Sequence, residues 1–234
     1  VARNRLYLGS WMTTFDLKTD SVRELNQHLH DNPSVDVAVS NPGGQHCVAC
    51  GIDTAVDVVI DGHVGYYCAG MNKTADVTIT GNAGPGVAEN MMSGSVRIKG
   101  NASQYAGASG HGGTLVIEGD ASSRCGISMK GIDIVVAGNV GHMSAFMAQK
   151  GRLVICGDAG DHLGDSLYEA QLFVRGKVGE LGADCIKKEM TTEHIENLAA
   201  LLADSGVQAD AKDFRRYGSA RTLYNFHVDN ANDY

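Results

Sequence analysis

Two cysteines three residues apart have the most recognisable spacing for chemistry in this sequence. They lie in the segment His46-Cys47-Val48-Ala49-Cys50, and C-x-x-C spacing is used by zinc sites and by redox-active dithiols. A structural zinc site takes four ligands, and the sequence offers no second C-x-x-C pair. We therefore predict free thiols at this position, while a redox or metal role of the pair stays open.

A glycine-rich stretch is the second candidate, because Gly81-x-x-Gly84-x-Gly86 follows a β-branched run and has the spacing of a phosphate-binding loop. Loops of that type lead into a helix and carry Lys followed by Ser or Thr. No such pair follows Gly86, and the same turn recurs along the chain. The stretch therefore indicates a corner of the backbone and not a nucleotide site.

Carboxylates and imidazoles form the third group of candidates. Asp120 and Asp158 lie two repeats apart, which in a stacked sheet is about 9.6 Å, near the upper limit for the paired carboxylates of a glycosidase. Asn139 stands between them, which favours a ladder of corner side chains. No three of the nine histidines share a repeat position, so we predict hydrogen bonds at the surface and at corners instead of metal ligation.

Most of these residues belong to a repeat of nineteen residues. Glycine recurs at Gly62, Gly81, Gly100, Gly119, Gly138, Gly157 and Gly176. The next residue is usually Asn or Asp: His63, Asn82, Asn101, Asp120, Asn139, Asp158 and Lys177. A small apolar residue follows: Val64, Ala83, Ala102, Ala121, Val140, Ala159 and Val178. We expect a positive φ at the glycine and left-handed backbone at the Asx residue.

Alternating apolar residues precede each repeat glycine. Two positions before it stand Ile60, Ile79, Ile98, Ile117, Val136, Ile155 and Val174, and four positions before it stand Val58, Val77, Val96, Leu115, Ile134, Leu153 and Leu172. Such a strand buries one face only when copies of it stack. A period of nineteen fits neither hexapeptide nor nonapeptide solenoids. The sequence predicts an all-β fold, a right-handed parallel β-helix of seven regular rungs after an irregular first rung.

The flanks of the repeat differ from it and suggest three domains. Residues 1–34 form an N-terminal segment with a short helix, residues 35–188 form the β-helix, and residues 189–234 form a C-terminal helix and tail. Ser21 and Glu24 have capping-box spacing, and Ile195, Leu198, Leu201 and Leu202 mark the apolar face of the second helix. We expect these flanks to cap the open ends of the solenoid, or to bind a partner.

Within the β-helix, two more groups share a position relative to the repeat glycine. Cys68 is predicted to belong to an inward row of mostly small residues, with Val87, Ala106, Cys125, Ser144 and Leu163, and to lie above Cys50. Five methionines fall on one edge, where they either fill gaps in the core or form a binding surface together with Tyr66, Tyr67 and Phe146: Met71, Met91, Met92, Met129 and Met147. The sequence favours packing.

Composition excludes several classes of function. The chain has 234 residues and a net charge of −8, which argues against nucleic acid and anionic membranes as partners. No apolar run approaches the length of a membrane span, and the segment after Val1 lacks the apolar core of a signal peptide. Either Val1 or Met12 is compatible with the native start. We expect a cytoplasmic protein whose six cysteines are reduced.

The repeat resembles the C-terminal GXGXG domain of the glutamate synthase large subunit. The resemblance is carried by "GHVGYYCAGMN", "GVAENMMSG", "GASGHGG", "SRCGISMKG", "VGHMSAFMAQKG" and "FRRYGSARTLYNFHVDN", and it extends from Met12 to the C-terminus. These motifs together are similar to the stand-alone form of that domain, the β-helical subunit of methylamine–glutamate N-methyltransferase (N-methylglutamate synthase) and related complexes.

The resemblance implies a division of labour between subunits. A class II glutamine amidotransferase-like subunit and a subunit with FMN and an iron–sulfur cluster would perform the chemistry, and this chain would be the framework of the hetero-oligomer. The sequence is consistent with this role, because no cysteine follows Val1 or Met12 to act as an N-terminal nucleophile and no tight three-cysteine cluster motif is present. We therefore expect no catalytic, cofactor-binding or metal-binding residue in this chain.

Two alternatives remain open at this point. The scaffold subunit of formylmethanofuran dehydrogenase and formyltransferase/hydrolase complexes resembles the same repeat domain, and it likewise has no active site of its own. A stand-alone carbohydrate-active β-helix enzyme belongs to a different class, and would show longer irregular rungs and a row of acidic or aromatic residues on one face.

Overall fold

The computed structural model describes residues 12–31 and 35–221. In these residues a single sheet runs along the chain with two helices and one short 3-10 helix, Ala211–Asp213. The helices are α1 (Val22–Asp31) and α2 (Thr192–Asp204). The strands are β1 (Thr13–Asp16), β2 (Val37–Ser40), β3 (Asp57–Asp61), β4 (Asp76–Ile79), β5 (Ser95–Ile98), β6 (Thr114–Ile117), β7 (Lys130–Val136), β8 (Lys150–Ile155), β9 (Gln171–Val174), β10 (Cys185–Lys188) and β11 (Arg215–Ser219).

Strands β3 to β9 stack in parallel with an offset of nineteen residues. Val58 pairs with Val77, and Val77 pairs with Val96. A second row of parallel bridges has the same offset and runs from Val64 to Val178. The parallel β-helix with seven regular rungs is therefore confirmed, and its period equals the period of the sequence.

The rungs below this column are irregular, as predicted. Val37 of β2 pairs with Val58, an offset of twenty-one residues. Below it lies β1, where Thr13 pairs with Val37. Strand β1 was not predicted from the sequence, because Thr13–Asp16 lies outside the repeat and carries no copy of the glycine corner.

From Gly81 to Gly176 the repeat glycines are required by close stacking and not by a positive φ, which corrects the expectation for this corner, whereas Gly62 has the expected positive φ, +135°. In the row from Gly81 to Gly176, φ is not in the left-handed region. A Cβ at Gly100 would lie 2.7 Å from the carbonyl oxygen of Gly81 and closer still to Oδ1 of Asn82. Backbone and side chain of the rung below therefore occupy the space that any larger residue would need.

Left-handed backbone occurs instead at the opposite corner of each rung, in alternate residues. In one rung these are Tyr67, Ala69 and Met71, with φ of +59°, +53° and +57°. The Tyr67 N–H donates upward to Pro85, whereas the Ala69 N–H donates downward to Val48. Because alternate residues face opposite neighbours, the corner is bonded to the rungs on both sides, which offsets the strain of non-glycine residues at positive φ.

The interior of the solenoid is filled by rows of side chains, in which a small residue lies beside a large residue of a neighbouring row. Met91 and Met129 are fully buried in one row, with Gly110 between them. A Cβ at Gly110 would lie 2.8 Å from Cδ1 of Ile132, so the Ile132 side chain occupies the space that a side chain at position 110 would need. The packing interpretation of the methionines is thus confirmed for Met91 and Met129.

Helix α1 covers the first rungs of the column. The predicted capping box is present: the Ser21 hydroxyl accepts from the Glu24 N–H at 3.2 Å, and Glu24 Oε2 accepts from the Ser21 N–H at 2.9 Å. The bonds that the Ser21 N–H and the Ser21 hydroxyl donate to Glu24 Oε2 lower the pKa of Glu24. Leu25 and Leu29 are buried in the main core, so this flank acts as the predicted cap.

Helix α2 does not cap an end, which corrects that expectation. Its buried side chains pack on the outer face of the sheet, forming a second apolar cluster: Leu198, Leu201 and Leu202 against Val135, Val154 and Phe173. The outward position of β4 and β5 is polar, Thr78 and Arg97, whereas that of β3 and β6 is Val59 and Val116. Strands β7 to β9 provide three consecutive apolar outward residues, and the helix lies on these.

The C-terminal end of the column is closed by antiparallel strands. Strand β11 pairs with β9 on one side and with β10 on the other. Tyr217 of β11 is buried in the main core, so this part of the tail covers the last rung. The rest of the tail motif, from residue 222 onward, lies outside the described residues.

We predict that Gly100→Ala lowers the free energy of unfolding by about 1–3 kcal/mol, the usual cost of forcing bulk into a close-packed site. The added methyl must displace the backbone of the neighbouring rung. Gly218→Ala is the matched control, since a Cβ there meets the flexible side chain of Lys188 at 3.3 Å. Urea unfolding followed by circular dichroism measures both, and equal midpoints for the two variants would contradict the stacking constraint.

Candidate functional site

The C-x-x-C pair lies at the left-handed corner of the first irregular rung, between α1 and the rung that contains Tyr67. The Cys47 N–H donates to the carbonyl of Tyr66 at 2.8 Å, and Asn26 of α1 donates to the carbonyl of Cys47 at 2.8 Å. The Cys50 thiol donates to the carbonyl of Tyr67 at 2.6 Å. Cys47 is exposed and Cys50 is half-buried.

The predicted stacking of Cys50 beneath Cys68 is wrong. The Ala69 N–H donates to Val48, as the Ala88 N–H donates to Cys68 one rung further on. These bonds place Val48 in the inward row beneath Cys68. The register shifts because the first rung carries extra residues, a change that the sequence pattern alone did not resolve.

Burial separates the remaining thiols from solvent. The predicted inward row is confirmed, and all its members are fully buried: Cys68, Val87, Ala106, Cys125, Ser144 and Leu163. Burial raises the pKa of Cys50, Cys125 and Cys185 to about 12, raises that of Cys68 well above its usual value, and raises that of Cys156. All six cysteines are free. These five thiols therefore ionise less readily near neutral pH than an exposed cysteine does.

Beside the dithiol, four exposed side chains form a patch that we call the aromatic surface: His46, Tyr66, Tyr67 and Met71. The rings of His46 and Tyr66 stack with centroids 4.4 Å apart, and Tyr66 and Tyr67 meet edge to face at 6.4 Å. Tyr66, Tyr67 and Met71 are each about half exposed. Tyrosine and methionine are enriched at protein interfaces, so this patch has the composition of a contact surface.

The five methionines predicted to share one edge fall into an exposed group and a buried group. Met71, Met92 and Met147 are exposed, whereas Met91 and Met129 belong to the core. Met71 and Met147 occupy the same corner position four rungs apart, about 19 Å. The exposed methionines therefore do not form one continuous patch.

The Asx residues form the predicted corner ladder. Asn101 Oδ1 accepts from the Asp120 N–H, Asp120 Oδ1 from the Asn139 N–H, and Asn139 Oδ1 from the Asp158 N–H, at 2.7–2.8 Å. The two aspartates are thus separated by an intervening rung and are used in stacking. His63 begins the row, since its Nδ1 accepts from the Asn82 N–H at 2.8 Å.

The histidines likewise make local contacts. His142 and His162 meet edge to face with centroids 5.1 Å apart, and His194 takes part in the capping box of α2 with Thr191. Within residues 12–31 and 35–221, no group of three or more His, Cys, Asp or Glu side chains is arranged to hold a metal ion.

A polar cleft of about 500 Å³ lies where β7 bulges away from β8. Its lining residues are Gly131, Asp133, Lys150, Gly151, Arg152, Glu169 and Gln171. The register of the two strands shifts between Lys130 and Asp133, which opens the cleft. Arg152 forms two bonds to Asp133, of 2.8 and 2.5 Å, and these raise the pKa of Arg152. The charges of Arg152 and Asp133 therefore neutralise each other at this cleft.

The stacked rungs, the Asx ladder and the apolar interior define this chain as a parallel β-helix protein. No family model matches the sequence. The chain is 62% identical over 228 residues to protein GlxC of Rhizobium meliloti (strain 1021), covering 95% of this chain and 100% of that protein. It therefore belongs to the family of GlxC. In the described residues no helix has the length and apolarity needed to cross a membrane.

We predict that Asn101→Ala lowers the free energy of unfolding by about 0.5–1.5 kcal/mol, since the Asp120 N–H loses its acceptor at a solvent-exposed corner. Asn101→Asp keeps an acceptor at this position and serves as the control. Urea midpoints compare the variants. A loss as large in Asn101→Asp as in Asn101→Ala would show that the acceptor is not the stabilising group.

Alkylation provides a separate prediction for the thiols. With iodoacetamide at mildly alkaline pH, Cys47 of the folded chain should react first, because the other five thiols are partly or wholly buried. The fast phase should disappear in Cys47→Ser and persist in Cys185→Ser. Mass spectrometry counts the labelled thiols, and rapid labelling of more than one thiol in the folded protein would contradict the described burial.

Proposed function

We propose that this chain is the β-helical scaffold subunit of a glutamate-synthase-like transferase complex. We further propose that the complex is N-methylglutamate synthase, which converts methylamine and L-glutamate to N-methyl-L-glutamate and ammonia. In this proposal the chain carries no active site of its own, and it holds the catalytic subunits in a fixed arrangement.

The Asx ladder is the observation that carries the scaffold role. The carboxylates that could have served glycoside chemistry, Asp120 and Asp158, take part in hydrogen bonds that join one rung to the next. Membership of the GlxC family and the glutamate-synthase-like sequence motifs support the assignment to this class of complex.

In this proposal FMN and the iron–sulfur cluster belong to a partner subunit. The buried cysteines of this chain do not fit a cluster, because Cys68, Cys125 and Cys156 lie on different rungs. Two of them, Cys68 and Cys125, point into the apolar core and are fully buried. The other proposed partner is a class II glutamine amidotransferase-like subunit.

The aromatic surface and the tail are the proposed contacts with these partners. Tyr66 and Tyr67 present large exposed rings beside Met71, a composition typical of interface cores. Within the tail, residues 222–234 are the part that we propose to contact a partner. Removal of β11 would also remove Tyr217 from the core, so truncation should begin after Arg221.

Affinity purification of the tagged chain from its native host tests the proposal. We expect an amidotransferase-like chain and a flavoprotein to co-purify, with methylamine-dependent N-methylglutamate synthesis in the recovered complex. Tyr66→Ser with Tyr67→Ser should reduce recovery of at least one partner about tenfold, the effect of losing an aromatic hot spot. Ile186→Ser is the matched control, since it removes an exposed apolar side chain at the other end of the column.

Other outcomes separate the alternatives. Co-purification with formyl-transfer subunits would replace the proposed complex by the formylmethanofuran type. Lyase or hydrolase activity of the isolated chain on polysaccharides would replace the scaffold role itself. Unchanged recovery of both partners by the truncated chain and by the Tyr66, Tyr67 double variant would remove these two contacts from the proposal.

A further inference from the structure

We propose that Cys47 and Cys50 form a reversible intramolecular disulfide, so that this corner is a site of thiol–disulfide exchange. The pair is not used by the proposed scaffold function, and the inference does not depend on that function. It rests on the position of the two cysteines in the corner, on their unequal exposure and on the contacts of the Cys50 sulfur.

The backbone of the corner brings the two residues close together. Cys47 directly precedes, and Cys50 lies within, a turn over residues 48–51. The equivalent residues of the next rung, Tyr67 and Gly70, are joined by the bond from Gly70 N–H to Tyr67 carbonyl at 3.2 Å. The first and fourth Cα atoms of such a turn lie less than about 7 Å apart, which is within the span of a disulfide.

The side chains are arranged for a reaction between an outer and an inner sulfur. Cys47 is exposed, and Cys50 is half-buried three residues further along the same corner. The Cys50 sulfur contacts the carbonyl of Tyr67 and would lie 3.7 Å from a Cβ at Gly70. A small disulfide can thus reach Cys47 from solvent, whereas Cys50 is accessible chiefly to Cys47.

The exchange requires a low-molecular-weight disulfide such as oxidised glutathione. The Cys47 thiolate attacks one sulfur of that molecule, forms a mixed disulfide and releases one thiolate of the oxidant. Cys50 then attacks the Cys47 sulfur as its proton passes to the thiolate released in the first step, and the second thiolate of the oxidant leaves. The two protein thiols lose two electrons and two protons in total, and the oxidant is reduced to two thiols.

Oxidation would alter the support of the aromatic surface. Cys50 gives up its S–H, so the Tyr67 carbonyl loses the bond that it accepts from this thiol. Tyr67 packs against Tyr66 and over Gly86. The redox state of the pair therefore changes a hydrogen bond to the backbone of Tyr67, which carries one of the exposed rings. A reductant such as glutathione would restore this bond.

The test equilibrates the full-length folded chain with mixtures of reduced and oxidised glutathione, then blocks remaining thiols with iodoacetamide. Trypsin releases one peptide, residues 24–73, which contains Cys47, Cys50 and Cys68. Fragmentation of this peptide shows which sulfurs are joined. We expect a bond between Cys47 and Cys50 that is lost on return to reduced glutathione, with Cys68 alkylated after unfolding.

Variants make the assignment specific. Cys47→Ser and Cys50→Ser should each abolish the intramolecular bond, and Cys47→Ser should also abolish the mixed disulfide with glutathione. Cys156→Ser is the matched control and should behave like the original chain. Oxidation that stops at a glutathione adduct of Cys47, that joins Cys68, or that occurs only in urea would overturn the proposal.

Discussion

The structure depends on one steric relation, the direct stacking of a glycine on the corner of the rung below. Asn82 Oδ1 and the Gly81 carbonyl occupy the place where Gly100 would carry a side chain. The same Asn82 oxygen accepts the N–H of Asn101, the residue after that glycine. Glycine and Asx are therefore two halves of one contact, since the glycine makes room for the oxygen that bonds its neighbour. This contact recurs from rung to rung and keeps the strands in register.

The sequence was sufficient to predict the column but not every cause of its geometry. The period of nineteen, the inward row at Cys68 and the ladder through Asp120 followed from residues at equal positions. Most of the left-handed backbone lies at the corner opposite to the repeat glycines, and glycine alone does not predict this, because it is associated both with positive φ and with close approach. Residues such as Tyr67 and Ala69 adopt positive φ, although side chains of their type give no local signal for it.

Errors at the ends of the chain have a common physical origin. Strand β1, the register of the first rung and the placement of α2 each depend on contacts between segments with no shared repeat. The apolar face of α2 predicted burial correctly, yet several apolar surfaces could have accepted it. Helix α2 packs on the outward side chains of β7 to β9, and Phe173 in particular is almost fully buried beneath the helix. The exposure of the aromatic surface was equally hidden, since alternating strand patterns do not describe corners.

The fixed offset of nineteen residues has a consequence for how such a molecule could change in evolution. Residues inserted within a rung must be accommodated outside the strands, as in the first rung, where β2 still pairs in register with β3 at an offset of twenty-one, whereas one inserted rung repeats contacts that already exist. The length of the column can thus vary in steps of about 4.8 Å, the spacing between adjacent strands. Surfaces at its two ends are accordingly separated by a whole number of rungs, so the distance between them changes only in multiples of the strand spacing.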